Sequence, residues 1–274
     1  MARTDNLNNF LTDVANSIRE KKGTTELIPA SDFDTEIESI ETGGGSTVTK
    51  GIIINECDEN GFATDVSIVG MTSIPNSYFT AYNYDYGNAL NKFVKNIQLP
   101  SGLTSIGGSA FRNCKNLALT ELPSGVTSIE NSAFQYCAKL ALTELPSGVT
   151  SIGNNAFQSC SNLALIELPS GVTSIGNSAF YGCTNLAKMT CLGNITSIGN
   201  SAFYGCTNLS KFALPNITSI PTLNSTGIFD KTPIAGGAGY IYVPDDLVES
   251  FKSATNWSTY ADQIKAISEM EASV

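Results

Sequence analysis

The sequence predicts a repeat solenoid, β-rich with short helical turns on a 23-residue period, preceded by a small two-helix module. Three observations carry this reading: a step that does not slip over five blocks, four apolar columns that share the step, and degenerate copies at both ends. The blocks are 97–119, 120–142, 143–165, 166–188 and 189–211. Isoleucine recurs at Ile106, Ile129, Ile152, Ile175 and Ile198, and phenylalanine at Phe111, Phe134, Phe157, Phe180 and Phe203. Cysteine recurs at Cys114, Cys137, Cys160, Cys183 and Cys206, and leucine at Leu117, Leu140, Leu163, Leu186 and Leu209. A single block has no way to bury its apolar side, whereas stacked blocks bury like residue on like residue. Each coil is expected to advance by about 4.8 Å, one strand spacing. Extended segments are expected around Glu-Leu-Pro and Val-Thr-Ser-Ile, with Pro-Ser-Gly turning the chain between them. Ser-Ala-Phe reads as a short helical turn on the outer side.

The ends follow from the need to cap such an array. Residues 48–96 read as an N-terminal cap and a degenerate first repeat. Thr72–Phe79 matches the repeat, and the step of 32 from Ile74 to Ile106 leaves a nine-residue insertion rich in Tyr and Asn. Residues 48–70 read as strands that cover the first coil. In 212–274, Asn216–Ile220 reads as a last weak coil, Tyr240–Val243 as a strand, and Pro244-Asp245-Asp246 as the start of a helix.

Composition limits function. Of 274 residues, 42% are apolar and 15% charged, so the polar surface must come from Ser, Thr, Asn and Gln. The net charge of −10 sits at the ends: residues 1–42 carry 4 basic and 9 acidic side chains, residues 97–211 carry 5 and 4. The absence of a basic stripe argues against nucleic-acid binding. No apolar run is long enough to insert in a membrane. Asp5, Asp13, Arg19 and Glu20 interrupt what would have to be a secretory signal, so synthesis and folding in the cytoplasm of the producing cell are expected. Histidine is absent, which removes the commonest general base and metal ligand. No enzyme activity, cofactor or metal is expected.

The pattern Leu-Pro-x-x-Val-x-x-Ile-Gly-x-x-Ala-Phe-x-x-Cys-x-x-Leu resembles the BspA-like (Treponema-type) leucine-rich repeat. Residues 240–267, with Tyr-Val-Pro-Asp-Asp-Leu, Ala-Thr-Asn-Trp and Tyr-Ala-Asp-Gln-Ile, resemble the terminal cap of that family. The resemblance covers about 70–267. It implies a curved solenoid for adhesion or protein recognition, with a protein or glycan on a cell surface as partner and no single ligand specified.

Residues 1–42 belong to neither repeat nor cap. Leu7, Phe10, Leu11, Val14 and Ile18 form one stripe of an amphipathic helix that Asp5 caps and Gly23 ends. A second helix starts at Ser31 and carries Phe33, Ile37 and Ile40 on one side, and residues 43–47 form a glycine-rich joint. A unit this small needs a partner to cover its apolar stripe. These residues are therefore the expected assembly handle, for self-association or for a virion structural protein. Residues 6–42, with Asn-Phe-Leu-Thr-Asp-Val-Ala-Asn-Ser-Ile-Arg-Glu-Lys-Lys-Gly, are similar to leader segments of tail-associated structural proteins in phages and prophages of Gram-positive bacteria. That resemblance implies attachment to a virion, with a bacterial cell-surface adhesin as the alternative.

The cysteines read as small apolar core residues rather than as disulfides or ligands, including Cys191; Cys57 is given a structural role. Tyr78, Tyr82, Tyr84 and Tyr86, in or beside the insertion, have the chemistry of an adaptable binding loop, against the alternative of a loop folded as a cap. Arg112, Tyr136, Tyr181 and Tyr204 precede the ladder cysteines and face outward if Phe and Cys face in; a solvated surface is the alternative. Glu121, Glu144 and Glu167 form a ladder of like charges, and single carboxylates in open water bind a cation poorly.

Overall fold

The structure, a computed structural model, describes residues 51–58, 63–79 and 93–270. The expected helices of 1–42, the joint and Tyr82, Tyr84 and Tyr86 lie outside the described residues. The 23-residue step becomes a seven-stranded parallel sheet whose strands lie in chain order: β3 (Ser73–Ile74), β5 (Ser105–Ile106), β6 (Ser128–Ile129), β7 (Ser151–Ile152), β9 (Ser174–Ile175), β11 (Ser197–Ile198) and β13 (Thr222–Leu223). The isoleucines are register partners from Ile74 to Ile198, and the step of 32 is absorbed without a slip, Ile74 pairing with Ile106. The last rung departs from expectation. The partner of Ile198 is Leu223, not Ile220, because extra residues enter after the buried Ile217. Along this face threonine amides donate to the coil before, Thr127 to the Thr104 carbonyl at 2.8 Å and Thr196 to that of Thr173 at 2.8 Å.

The expected helical turn at Ser-Ala-Phe does not form. Ser109, Ser132, Asn155, Ser178 and Ser201 have φ between 52° and 58°, in the left-handed region, which no α-helix tolerates in its interior. The chain instead makes successive tight turns in which amides alternate. Ala110 donates within its own coil to Gly107, at 3.2 Å, while Ser109 and Phe111 donate to Asn131 and Ala133 of the next coil, at 2.9 and 2.8 Å. The turn face thus builds its own inter-coil ladder, with amides pointing opposite to those of the strand face.

Between the faces, the Ile, Phe, Cys and Leu columns are all buried. The phenylalanine rings stack from Phe79 to Phe229 with centroids 5.0–5.6 Å apart and interplanar angles of 20° or less. The cysteines are free thiols. Cys137, Cys160, Cys183 and Cys206 each donate to the carbonyl of a phenylalanine one coil back, with Sγ···O of 2.9–3.1 Å. Cysteine suits this column because it is small and apolar yet carries one weak donor for a carbonyl no water reaches. Burial pushes the Cys206 thiol up to about 12 and raises those of Cys160, Cys183 and Cys191 further.

The third side, bearing Glu-Leu-Pro, is not one continuous sheet. β4 (Asn96–Gln98) pairs with β2 (Ala63–Val69) of the N-terminal hairpin, whose other strand is β1 (Gly51–Cys57). This hairpin adjoins the first coil through β4. A separate five-stranded sheet contains β8 (Glu167–Leu168), β10 (Lys188–Cys191), β12 (Lys211–Ala213), β14 (Tyr240–Val243) and β15 (Ile264–Ala266). No strand forms at 119–122 or 142–145. In Leu140-Ala-Leu-Thr-Glu-Leu145 the buried positions are 140, 142 and 145, and Leu163-Ala-Leu-Ile-Glu-Leu168 has the same spacing and burial yet ends in β8, so the spacing of apolar residues does not decide where the strands form. β10 and β12 pair through Lys188, Met189 and Thr190 with Lys211, Phe212 and Ala213.

After Pro244 the chain makes a 3-10 turn over Asp245–Leu247 and then α1 (Val248–Ser253). Asn256 Nδ2 donates to the Leu223 carbonyl and Trp257 Nε1 to that of Pro221, both at 2.7 Å. Phe251 packs edge-on against the buried Trp257, with centroids 4.8 Å apart.

Two outcomes test this core. Phe157→Ala is expected to cost about 3–5 kcal/mol and, for a chain of this size, to lower the melting temperature by roughly 10 °C; a shift of a degree or two would place Phe157 outside the core. The raised thiols favour the neutral form only in the folded chain, so their contribution is intact below the ordinary thiol range and is lost as pH rises from about 9 through about 12. Melting temperature should therefore fall across that window, and less so in Cys206→Ala. Native thiol titration at pH 8 should leave Cys160 and Cys206 unlabelled.

Candidate functional site

The turn face carries the side chains that differ most from coil to coil. Two residues in each coil are fixed by the turn geometry. The first column runs Arg112, Gln135, Gln158, Tyr181, Tyr204 and Asp230; the second runs Asn113, Tyr136, Ser159, Gly182, Gly205 and Lys231. Every residue of the second column has φ between 59° and 72°. Each of its amides from Asn113 to Gly205 donates to the next coil's first-column carbonyl, at 2.7–2.8 Å. Glycine at 182 and 205 relieves a left-handed conformation that costs other residues about 1 kcal/mol. The backbone is therefore held alike in all coils while the first-column side chains change.

These side chains pair along the column. Gln135, 8% exposed, donates through Nε2 to Oε1 of Gln158. Tyr181 and Tyr204 stack with centroids 4.8 Å apart and planes 12° from parallel, so each ring covers a face of the other. Lys231 Nζ lies 4.9 Å from the Tyr204 centroid, on the far side of the coil boundary. The Tyr204 hydroxyl beside it raises the Lys231 ammonium above its ordinary value.

Of the residues expected to bind a partner, Tyr181 and Tyr204 come together. Tyr136 is half-buried in the second column, and Arg112 is exposed three coils before Tyr181. Tyr78 belongs to the cap rather than to an open loop: it is half-buried, packs edge-on to Phe79 at 5.2 Å, and its hydroxyl pKa is raised by burial. Lys231 was not legible as a site residue. Phe229-Asp230-Lys231 repeats the placement of Phe203-Tyr204-Gly205, but after 26 residues instead of 23, so the fixed step misses it.

A second feature lies on the Glu-Leu-Pro side, where the ladder is broken. A groove of about 460 Å³ is lined there by Glu121, Glu144 and Glu167, by Ser124, Ser147 and Ser170, and by Leu145, Pro146 and Pro169. Among the described residues, no group of three His, Cys, Asp or Glu side chains is placed to hold a metal ion. Nor is any helix there long and apolar enough to cross a membrane.

Residues 88–210 match the family described as BspA type leucine rich repeat region, in six copies. Among solved structures, a leucine rich repeat protein of T. pallidum is 23% identical, over 69% of this chain and 87% of that one, with a TM-score of 0.45. A leucine-rich repeat protein from Bacteroides ovatus is 24% identical, over 74% of this chain and 56% of that one, with a TM-score of 0.44. A leucine rich cell surface protein from Faecalibacterium prausnitzii is 25% identical, over 73% and 62%, with a TM-score of 0.43. This chain thus spans less than two thirds of the last two. No curated relative matches it.

The stacked tyrosines should be energetically coupled. A double-mutant cycle with Tyr181→Ala and Tyr204→Ala is expected to give a coupling of about 1 kcal/mol in unfolding free energy. Additivity would mean that the rings do not rest on one another in solution.

Proposed function

We propose, from the leucine-rich repeat that spans residues 88–210, that this chain is a non-enzymatic binding protein of a phage tail. On this reading the solenoid meets a host-surface partner through its turn face and residues 1–42 dock it to the particle. The observation that carries the binding role is a contrast within the chain itself. The Ile, Phe and Cys columns repeat without change from 106 to 206, while the first turn-face column runs Arg, Gln, Gln, Tyr, Tyr. A constant core under a varied, backbone-fixed column is what a recognition scaffold needs. Tyrosine edges supply contact area and hydrogen bonds at low cost in side-chain freedom.

The tail assignment rests on the wording of residues 6–42 and on the apolar stripe Leu7, Phe10, Leu11, Val14 and Ile18. Each of these would contribute roughly 1.5–3 kcal/mol on burial against a partner, and several together exceed the cost of docking. The full chain is expected to self-associate or to sediment with tail particles from a lysate of the strain that encodes it. Removing residues 1–45 should give a monomer in light scattering and abolish sedimentation with particles. Recovery with the cell wall instead would favour the surface adhesin; a monomeric full chain found in no particle would remove the assembly role.

A further inference from the structure

We propose that the partner of the turn face is an uncharged glycan chain rather than a protein, held by the amides and hydroxyls of the column from Gln135 to Tyr204. This choice rests on the turn face being the binding face. Charge comes first. From Gln135 to Gly205 neither turn-face column carries a charged side chain, and at the last rung Asp230 and Lys231 offset each other. Ionic attraction therefore has little part here. Apolar anchors are missing too. A protein interface is built on a desolvated apolar core, and among the described residues Ile166 alone is a large, strongly exposed apolar side chain. It lies beside β8, not on the turn face. Tyrosine is a common anchor, but here each ring covers a face of the other and Lys231 Nζ lies over Tyr204.

What the column offers instead is unmet hydrogen-bonding capacity. The bond from Gln135 Nε2 to Gln158 Oε1 leaves Gln135 Oε1 and Gln158 Nε2 with no partner among the described residues. Gln135 is 8% exposed, and a buried amide oxygen left unpaired is costly unless a ligand or water supplies the donor. The Tyr181 hydroxyl has no hydrogen-bond partner among the described residues either. Amides and phenols between them both donate and accept, which is what the hydroxyls of a sugar require of a site.

There is also room for a chain to lie there. Gly182 and Gly205 follow the two tyrosines, where Tyr136 and Ser159 follow the glutamines. Chain neighbours aside, a Cβ at Gly182 would come no nearer than 3.6 Å to another atom, the Ser159 Oγ, and a Cβ at Gly205 no nearer than 3.8 Å, to the Gly182 Cα. The surface beside the rings is therefore open, with Thr184 and Thr207 exposed beyond the glycines. The column repeats at the coil step of about 4.8 Å, so hydrogen-bonding groups recur at like intervals. A polymer of repeated sugar units can lie along such a row and meet it at several rungs, each contact weak alone.

The test uses the fluorescent full chain and cell walls isolated from the strain that encodes it. Walls stripped of protein with proteinase K should bind as well as untreated walls do, and periodate, which cleaves sugar diols, should abolish binding. Binding should be the same at low and at physiological salt, because no ion pair forms. Tyr181→Phe with Tyr204→Phe keeps the stacked rings and deletes their hydroxyls. Gln135→Met with Gln158→Met removes both ends of the amide pair. Each double variant should bind at least tenfold more weakly while melting within a few degrees of the parent. Loss of binding on protein stripping would overturn the glycan and leave the binding role standing. Survival after periodate, a steep fall with salt, or either variant binding within twofold of the parent would overturn it too. No binding to untreated walls or to intact cells would overturn the binding role itself.

Discussion

The fold depends on the close approach of one coil to the next. At Gly153 an added Cβ would lie 2.5 Å from the backbone nitrogen of Asn131, and at Gly199 it would lie 2.5 Å from that of Asn177. Gly107 and Gly176 make the same approach, whereas Glu130 stands at this place in the coil between Gly107 and Gly153, so the closest contact is made in four of the five coils. At the same place Asn131 Oδ1 accepts from the Asn154 amide at 2.7 Å, and Asn154 Oδ1 from that of Asn177 at 2.7 Å. Glycine lets the coils touch and asparagine fixes the touch in register. Once register is set there, the phenylalanine rings have no choice but to stack, and each thiol falls opposite the carbonyl of the coil before it.

That constraint explains why the outer positions are free to differ. With the backbone of the coils held by two ladders, a first-column side chain alters nothing beneath it. Gln135 and Gln158 can join amide to amide, and Tyr181 and Tyr204 ring to ring, on the same backbone. It also explains why the Glu-Leu-Pro side can lose its strands over two coils without losing the stack. The closely packed corner and the turn ladder lie elsewhere in the coil.

Much of this was legible in the residues. The four apolar columns, the N-terminal hairpin and the cap beginning at Pro244 all follow from period and punctuation. The turn at Ser-Ala-Phe was not, because its left-handed residue is Ser or Asn rather than Gly, and serine at a turn carries no sign of φ. The missing strands were not legible: Leu163-Ala-Leu-Ile-Glu-Leu168 has the same Leu-x-Leu-x-x-Leu spacing as Leu140–Leu145, yet only the former ends in a strand. The last rung and Lys231 escaped because insertions after Ile217 carry both off the 23-residue step. Of the candidate site, the tyrosine column could be named from sequence, but not its pairing, which depends on ring orientation across coils.

The opposed directions of the two ladders have a consequence for the ends of the molecule. On the strand face amides point toward the N-terminal end, and on the turn face toward the C-terminal end. The backbone dipoles of these two faces therefore oppose one another, while the third side, where Thr190 donates to Ile166 and Leu192 to Leu168, points the same way as the strand face. Each end presents a mixed pattern. At the C-terminal end the strand face leaves carbonyls, met by donors from Asn256 and Trp257, while the turn face leaves the Phe229 amide, met at 3.4 Å by the hydroxyl of Tyr260. A chain shortened to its repeats would expose that pattern to the complementary one at the other end of a second molecule. Such a contact is head-to-tail and does not close, so it grows into a fibre. The cap thus limits the length of the particle as well as covering its core.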